Sequence, residues 1–236
     1  MAIQTFQASV SRIRDLTHDV RELEFLLREP KDITFKAGQF ISFEVPKEGL
    51  PFPLTRPYSL ASPPSGTDRL TLLFNLVAGG PGSTYLYGLR EGDPVTFKGP
   101  AGTFYLREDP GRHLLFVATG TGIAPLRSML LTLFERQTGQ PLTLFWGLRF
   151  QRDVYYQDEL EDWASRFPNF SYVTTLSQPG PDWGGVKGRV TQLVQDRVSS
   201  VQNLAIYLCG NGDMIKDVTA LIQAKGLCPI YREKYY

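Results

Sequence analysis

The 236-residue chain is 42% apolar, enough for one large domain or two smaller ones. Its 25 basic and 24 acidic residues leave a net charge of +1, so a uniformly basic nucleic-acid-binding protein is not expected. The apolar runs, such as residues 113–119, are the length of a strand, well short of the ~20 residues of a membrane span. We also expect no signal peptide, because no basic region followed by an apolar stretch opens the chain.

The first half of the chain, residues 1–109, carries short β-rich runs separated by turn signals. The runs lie at residues 20–26, 39–45, 70–77 and 93–98. Many short strands with regular turns predict an antiparallel barrel or sandwich.

The second half, residues 110–236, has a different pattern, and the change falls near Asp109–Gly111. Predicted strands alternate with predicted helices here, and this alternation is typical of a doubly wound parallel sheet. The strands are expected at residues 114–118, 142–146, 170–175 and 204–209, and the helices at 126–136, 153–166, 191–198 and 214–225.

A glycine-rich turn joins the first strand and helix of this second half. It reads Thr119-Gly120-Thr121-Gly122, with Pro125 where a third glycine of G-x-G-x-x-G would stand. Glycines let a ligand approach the backbone, and a helix start attracts phosphate. The pattern predicts a dinucleotide site, although a plain strand-to-helix turn would look similar.

The next predicted strand ends at Arg149, about 25 residues further on. Dinucleotide sites often carry an acid there for the ribose of NAD, or an arginine for the extra phosphate of NADP. Arg149 favours NADPH only slightly, since it could also be an ordinary surface arginine.

The chain has two cysteines, Cys209 and Cys228, and neither lies in a C-x-x-C motif. We therefore expect no metal site or iron–sulfur cluster built from this chain. The thiols indicate a cytoplasmic protein with reduced cysteines.

Four segments together resemble the motifs of the ferredoxin–NADP reductase family, and they occur in the family's order. They are Arg56-Pro57-Tyr58-Ser59-Leu-Ala-Ser62, Gly120-Thr-Gly122-Ile-Ala-Pro125, Tyr207-Leu-Cys209-Gly210 and Glu233-Lys-Tyr235. The resemblance implies an N-terminal antiparallel flavin-binding β-barrel followed by a doubly wound nucleotide-binding α/β domain.

By this resemblance, the first segment binds FAD. Arg56 pairs with the pyrophosphate, which a guanidinium fork suits well. Tyr58 packs against the flavin ring and Ser59 hydrogen-bonds near its N5 atom, while Pro57 and Ser62 belong to the same segment. A second flavin segment is expected at Gly80, Gly82, Ser83 and Thr84, where backbone N–H groups and the Ser83 hydroxyl would contact the other phosphate oxygens. The alternative is a hairpin loop.

The resemblance also implies that Cys209 and Gly210 lie beside the nicotinamide, that Glu233 tunes the site or relays protons, and that Tyr235 or Tyr236 stacks on the flavin. The alternatives are a core cysteine and a frayed, exposed tail.

To bind the adenosine end of the nicotinamide nucleotide, the family's NADP enzymes often carry arginines at three positions. Two are matched by Arg149 and Arg189. The third, directly after Ser177, is Gln178. NADH and NADPH therefore both stay open.

The expected function is an FAD-dependent reductase that takes hydride from NAD(P)H and passes electrons to a separate acceptor such as ferredoxin. The alternatives are an oxygenase reductase component, a free flavin reductase, and a non-catalytic flavin-binding subunit.

Overall fold

A computed structural model describes residues 3–46, 51–109 and 111–235. The chain divides into two compact units. The first contains Met1–Leu106 with Arg127–Thr132, and the second contains Arg107–Leu126 with Leu133–Tyr236. The domain boundary between residues 109 and 110 stays a prediction, and Pro110 lies outside the described residues.

The first unit contains a six-stranded antiparallel sheet in the order β4-β3-β6-β1-β2-β5. An antiparallel bridge between Leu60 and Leu72 joins the end of β4 to β5, which curls the sheet towards a barrel. Of the two expected forms, the barrel is therefore confirmed and the sandwich is excluded. The strands are β1 Gln4–Asp15, β2 Val20–Glu29, β3 Phe40–Val45, β4 Leu54–Ser59, β5 Arg69–Asn75 and β6 Pro94–Ala101, and helix α1 is Pro81–Tyr87.

Alternation along these strands builds the core of the first unit. In β1, Phe6, Ala8 and Val10 are buried, because every second side chain of a strand points to the same face. Phe6 stacks on Phe97 of β6 with ring centroids 5.3 Å apart.

The second unit contains a six-stranded parallel sheet in the order β10-β9-β8-β7-β11-β12. All seven residues of β11 are buried, as expected for a strand covered on both faces. The strands are β7 His113–Thr119, β8 Leu142–Leu148, β9 Phe170–Leu176, β10 Val186–Lys187, β11 Leu204–Gly210 and β12 Ile230–Lys234. Helices α2 Ile123–Glu135, α3 Gln157–Arg166, α4 Val190–Arg197 and α5 Gly212–Gln223 follow strands in chain order. No described helix is both long and apolar enough to cross a bilayer.

Helices α2 and α3 begin at other residues than the sequence predicts. Helix α2 begins at Ile123 rather than residue 126, directly after a 3₁₀ turn over Gly120–Gly122. Helix α3 begins four residues later than predicted, because Gln151–Asp153 forms its own 3₁₀ turn and Tyr156 has a left-handed φ of 57°. Strands β1, β4, β10 and β12 lie outside the runs that the sequence predicts as strands.

Candidate functional site

The two segments expected to bind flavin lie against each other in the first unit. Arg56 and Tyr58 are two residues apart on β4, where they pair with Phe43 and Ile41 of β3. A Cβ atom built on Gly82 of α1 would lie 2.5 Å from the Tyr58 hydroxyl and 2.8 Å from Cγ of Arg56. Because glycine has no Cβ atom, the start of α1 packs directly against the Arg56 and Tyr58 side chains at Gly82.

Tyr58 is held in place by aromatic packing. Its ring meets Phe43 edge-on at 6.0 Å and Phe74 at 5.9 Å, and both phenylalanines are buried. Arg56 is half-buried and donates to the Thr55 carbonyl at 2.9 Å. A fixed aromatic ring beside a guanidinium fits a flavin ring and its pyrophosphate.

The serines of these segments are mostly engaged inside the unit. Ser59 is buried at the end of β4, where it pairs with Phe40. The Ser62 hydroxyl accepts from the Thr71 N–H at 3.0 Å. Ser83 is also buried, and its hydroxyl accepts from the Val77 N–H at 3.0 Å.

The segment around Gly80 forms the start of helix α1 rather than a hairpin loop, so that alternative is wrong. The Ser83 hydroxyl lies 3.1 Å from the Gly80 carbonyl, to which it donates. Ser83 therefore shapes this loop, and a contact between its hydroxyl and a phosphate stays a prediction. Thr84 is exposed.

In the second unit, the glycine-rich turn packs directly on the end of β11. Gly120 has a φ of 53°, a conformation that favours glycine. A Cβ atom on Gly122 would overlap the Cys209 carbonyl oxygen and lie 2.8 Å from the Gly210 Cα. Two motifs about 90 residues apart in the sequence are thus in contact, and Pro125 lies in the first turn of α2.

The ends of β7 and β11 are further joined through Thr119. Its hydroxyl accepts from the Asn211 N–H at 2.9 Å. Gly210 has a φ of 134°, and a Cβ atom there would overlap Thr119. Asn211 in turn caps α5, accepting from the Asp213 N–H at 2.8 Å.

Cys209, Glu233 and Tyr235 converge beside this turn. Cys209 is fully buried and pairs with Glu233 across β11 and β12. Burial raises the pKa of the Cys209 thiol well above its usual value, and the Glu233 carboxylate raises it further. The neighbouring Tyr235 side chain and the Gly210 backbone partly oppose both effects. The thiol is therefore uncharged at neutral pH, and Cys209 is at once a core residue and part of this cluster.

The end of the chain is an ordered strand over Ile230–Lys234, so the frayed-tail alternative is wrong for these residues. The Tyr235 N–H donates to the Gly210 carbonyl at 2.8 Å. Tyr236 lies outside the described residues.

The residues expected at the adenosine end follow the carboxyl ends of neighbouring strands. Arg149 follows β8, Ser177 follows β9 and Arg189 follows β10, and all three are exposed. The Arg149 guanidinium lies 3.3 Å from the side-chain oxygen of Gln178. Because carboxyl ends of parallel strands share one edge, these residues lie at the same edge as Gly120.

Sequence reasoning missed Arg152, Trp146 and Tyr155 at this edge. Arg152 and Arg149 both lie over the Phe150 ring, at 4.8 and 4.9 Å from its centroid. Trp146 and Tyr155 donate to the Gly120 carbonyl at 3.0 and 3.3 Å. Their position in or just after a strand next to the glycine-rich turn was the available signal.

A groove of about 530 Å³ lies elsewhere in the second unit, between α5 and β12. Lys216, Arg232 and Lys234 are among its lining residues. It contains none of the side chains expected to bind cofactor.

Comparisons with known proteins match each half of the chain to a domain family. Residues 7–105 match the family model described as the oxidoreductase FAD-binding domain, and residues 116–220 match the oxidoreductase NAD-binding domain. Ferredoxin–NADP reductase B of Sorangium cellulosum is 36% identical, covering 94% of this chain and 93% of that protein. The reductase component DmpP of phenol 2-monooxygenase from a Pseudomonas species is 34% identical, covering 99% of this chain and 66% of that protein.

Solved structures show the same fold. The Amycolatopsis cytochrome P450 reductase GcoB superposes with a TM-score of 0.89 at 29% identity, covering 98% of this chain and 70% of that chain. A ferredoxin NADP⁺ reductase from Neisseria gonorrhoeae has a TM-score of 0.81 at 22% identity, and both chains are covered in full. The chain thus spans nearly all of one reductase but about two thirds of DmpP.

A flavin-binding antiparallel unit followed by a nucleotide-binding α/β unit defines an NAD(P)H-dependent flavoprotein reductase. The chain belongs to the ferredoxin–NADP reductase family. The predicted fold class and the cofactors FAD and NAD(P) are confirmed.

Proposed function

We propose that this reductase transfers the electrons of NADH or NADPH through FAD to a separate redox protein, ferredoxin or an oxygenase component. The convergence of Cys209, Glu233 and Tyr235 beside the glycine-rich turn carries the proposal. When bound, FAD accepts two electrons as hydride from reduced nicotinamide and can release them one at a time.

In the first unit, Arg56 would bind the FAD pyrophosphate and Tyr58 would flank the flavin ring. The contact of Gly82 with both side chains supports this assignment, because it fixes them beside the start of α1. Ser59, buried next to Tyr58, would donate to the ring near N5.

In the second unit, the turn at Gly120–Gly122 would bind the dinucleotide phosphates. Cys209 would offer the nicotinamide an uncharged surface, since burial and Glu233 both keep its thiol protonated. Glu233 would hold or relay a proton, and the Tyr235 ring would exclude water until nicotinamide enters.

At the adenosine end, Arg149, Ser177 and Arg189 would contact the ribose and any 2′-phosphate. Gln178, where NADP enzymes often have arginine, is 3.3 Å from Arg149 and leaves one positive charge fewer. We therefore propose that both NADH and NADPH are accepted.

The acceptor would carry its own redox centre, because the two cysteines of this sequence are fewer than the four thiolates that usually hold an iron–sulfur cluster. Sorangium and Pseudomonas relatives are named as a ferredoxin–NADP reductase and an oxygenase reductase component. Cytoplasmic localisation stays a prediction.

The visible spectrum of the purified protein tests the proposal. The reductase account expects tightly bound yellow flavin that bleaches anaerobically on addition of NADH or NADPH. A colourless protein that reduces added free flavin would instead make it a flavin reductase. Bound flavin that neither nucleotide bleaches would make it a non-catalytic subunit.

A further inference from the structure

The carbonyl oxygen of Gly120 accepts from several donors at once. The Trp146 indole donates at 3.0 Å and the Tyr155 hydroxyl at 3.3 Å. The Ile123 backbone N–H also donates to it within the 3₁₀ turn. The two side chains come from different parts of the second unit, Trp146 from β8 and Tyr155 from the segment before α3.

The two side-chain donors hold each other in place. Their rings meet edge-on, with centroids 4.7 Å apart and an interplanar angle of 83°. Trp146 is fully buried and Tyr155 is 6% exposed. Each polar group therefore needs an internal partner, and the Gly120 carbonyl supplies it for both.

The buried Trp146 and Tyr155 donors could be satisfied by any carbonyl group within reach, so their burial alone does not explain why both bind the Gly120 carbonyl. Gly120 has a φ of 53°, however, and glycine, which lacks a Cβ atom, has many other backbone conformations open to it. Donors converging on its carbonyl remove that freedom. Because the peptide group is planar and trans, fixing the carbonyl also fixes the N–H of Thr121 in the opposite direction.

We propose that Trp146 and Tyr155 are positioning residues for nucleotide binding: they hold the Gly120 carbonyl so that the Thr121 N–H is directed at the nucleotide phosphates. The inference rests on the proposed role of this turn in binding NAD(P). Neither side chain needs to touch the nucleotide. Their contribution is preorganisation, since a turn that is already set loses less entropy on binding.

The test uses the FAD-loaded protein with Tyr155→Phe, Trp146→Phe and the double variant. Tyr156→Phe is the matched control, because it removes the hydroxyl of the next residue in the chain. The Tyr156 ring, which meets the Tyr155 ring edge-on, is kept. Dissociation constants for NAD⁺ and NADP⁺ are measured by calorimetry. Hydrogen exchange at residues 120–123 is measured without nucleotide, and turnover is measured with a small one-electron oxidant.

Each single variant should raise both dissociation constants about 3- to 10-fold, as expected for one lost hydrogen bond. In the double variant, the fold-increase of each dissociation constant should exceed the product of the increases in the two single variants. The reason is that one side-chain donor still holds the Gly120 carbonyl in each single variant. Exchange at the turn should accelerate, kcat at saturating nucleotide should change less than about 2-fold, and Tyr156→Phe should match the wild type.

Dissociation constants within 2-fold of wild type in all three variants, by the same affinity arithmetic, would overturn the positioning role, even if the melting temperature falls. Should Trp146→Phe fail to fold, Tyr155→Phe decides alone. Wild-type protein that binds neither nucleotide would overturn the proposed function together with this inference. Wild-type binding with unaffected variants would overturn only the inference.

Discussion

Gly82 packs directly against Tyr58, so closely that a methyl group on the glycine would lie 2.5 Å from the tyrosine hydroxyl. This contact joins two segments that the sequence separates by more than 20 residues. It explains why a glycine stands inside the first turn of α1, where other residues would favour a helix more.

The first prediction concerns this contact. Gly82→Ala should displace the Tyr58 and Arg56 side chains, raise the dissociation constant of FAD and lower stability by about 1–3 kcal/mol. Equilibrium dialysis and thermal unfolding measure the two effects. Gly88→Ala, at the other end of α1, is the control, because a Cβ atom there would meet its neighbours at 3.5 Å. Equal behaviour of the two variants would contradict the account.

Arg56→Ala should lose FAD on dialysis. A charged hydrogen bond is worth about 1.5–3 kcal/mol, so the dissociation constant should rise about 10- to 100-fold. Arg28→Ala, on an exposed arginine of β2, should leave flavin binding unchanged. Retention of FAD with wild-type affinity by the Arg56 variant would remove this residue from the flavin site.

Arg149→Ala should lower kcat/KM for NADPH about 10-fold and kcat/KM for NADH less than about 2-fold. The reason is that only NADPH carries the 2′-phosphate that a guanidinium would bind. The ratio of kcat/KM for the two nucleotides measures the difference. Arg166→Ala, which removes an exposed arginine paired with Asp162, should not change this ratio. Equal losses with both nucleotides would instead indicate a general role for Arg149.

Tyr235→Ser should bind nicotinamide nucleotides about 2- to 10-fold more tightly, because the ring no longer occupies the place that nicotinamide must enter. Tyr235→Phe keeps the ring and removes only the hydroxyl group beside Cys209, so it should stay near wild type. Titrations with NADP⁺ and NAD⁺ compare the two variants. If the serine variant binds like the wild type, stacking by Tyr235 is excluded.

The buried thiol makes stability depend on pH above neutrality. Because the pKa of Cys209 is raised in the folded protein, the unfolded chain loses its thiol proton first. The stabilisation that comes from keeping the Cys209 thiol protonated is complete below about pH 8.5. Above that pH, the free energy of unfolding falls by up to ~1.4 kcal/mol per pH unit. Tyr207, whose pKa burial raises to about 12, adds a further loss only above its unfolded value near 10.

Urea unfolding between about pH 8.5 and 10 measures this slope. The comparison uses a Cys228→Ser background, so that only Cys209 differs. Adding Cys209→Ser should flatten the slope, since serine does not ionise there. An unchanged slope would show that the Cys209 thiol is not held neutral by the fold.

The two sheets were predictable because their side-chain patterns are strong. Alternation over the run 39–45, in which Ile41, Phe43 and Val45 are buried, indicates an antiparallel strand, and the uninterrupted apolar run of β11 indicates a parallel one. Strand β12 was missed because three of its five residues, Arg232, Glu233 and Lys234, are charged and leave it almost no apolar pattern. Its pairing with β11 supplies the order that its own sequence does not predict.

The candidate site was predictable in its motifs and not in its contacts. Resemblance pointed to Cys209, Glu233 and Tyr235, but their convergence depends on the parallel register of β11 and β12. The Ser83 hydroxyl makes hydrogen bonds within its own loop, a local geometry that composition does not reveal. The donors to Gly120 were missed because tryptophan in a strand is usually only a core residue.

Anaerobic double-mixing stopped flow tests the central claim most directly. The FAD-loaded protein is first mixed with NADH or NADPH and then with an oxidised ferredoxin, while the flavin and ferredoxin absorbances are followed. The account predicts rapid bleaching of the flavin and then its recovery as the ferredoxin is reduced, at two ferredoxins per nucleotide if each takes one electron. Flavin that stays oxidised with both nucleotides would contradict it.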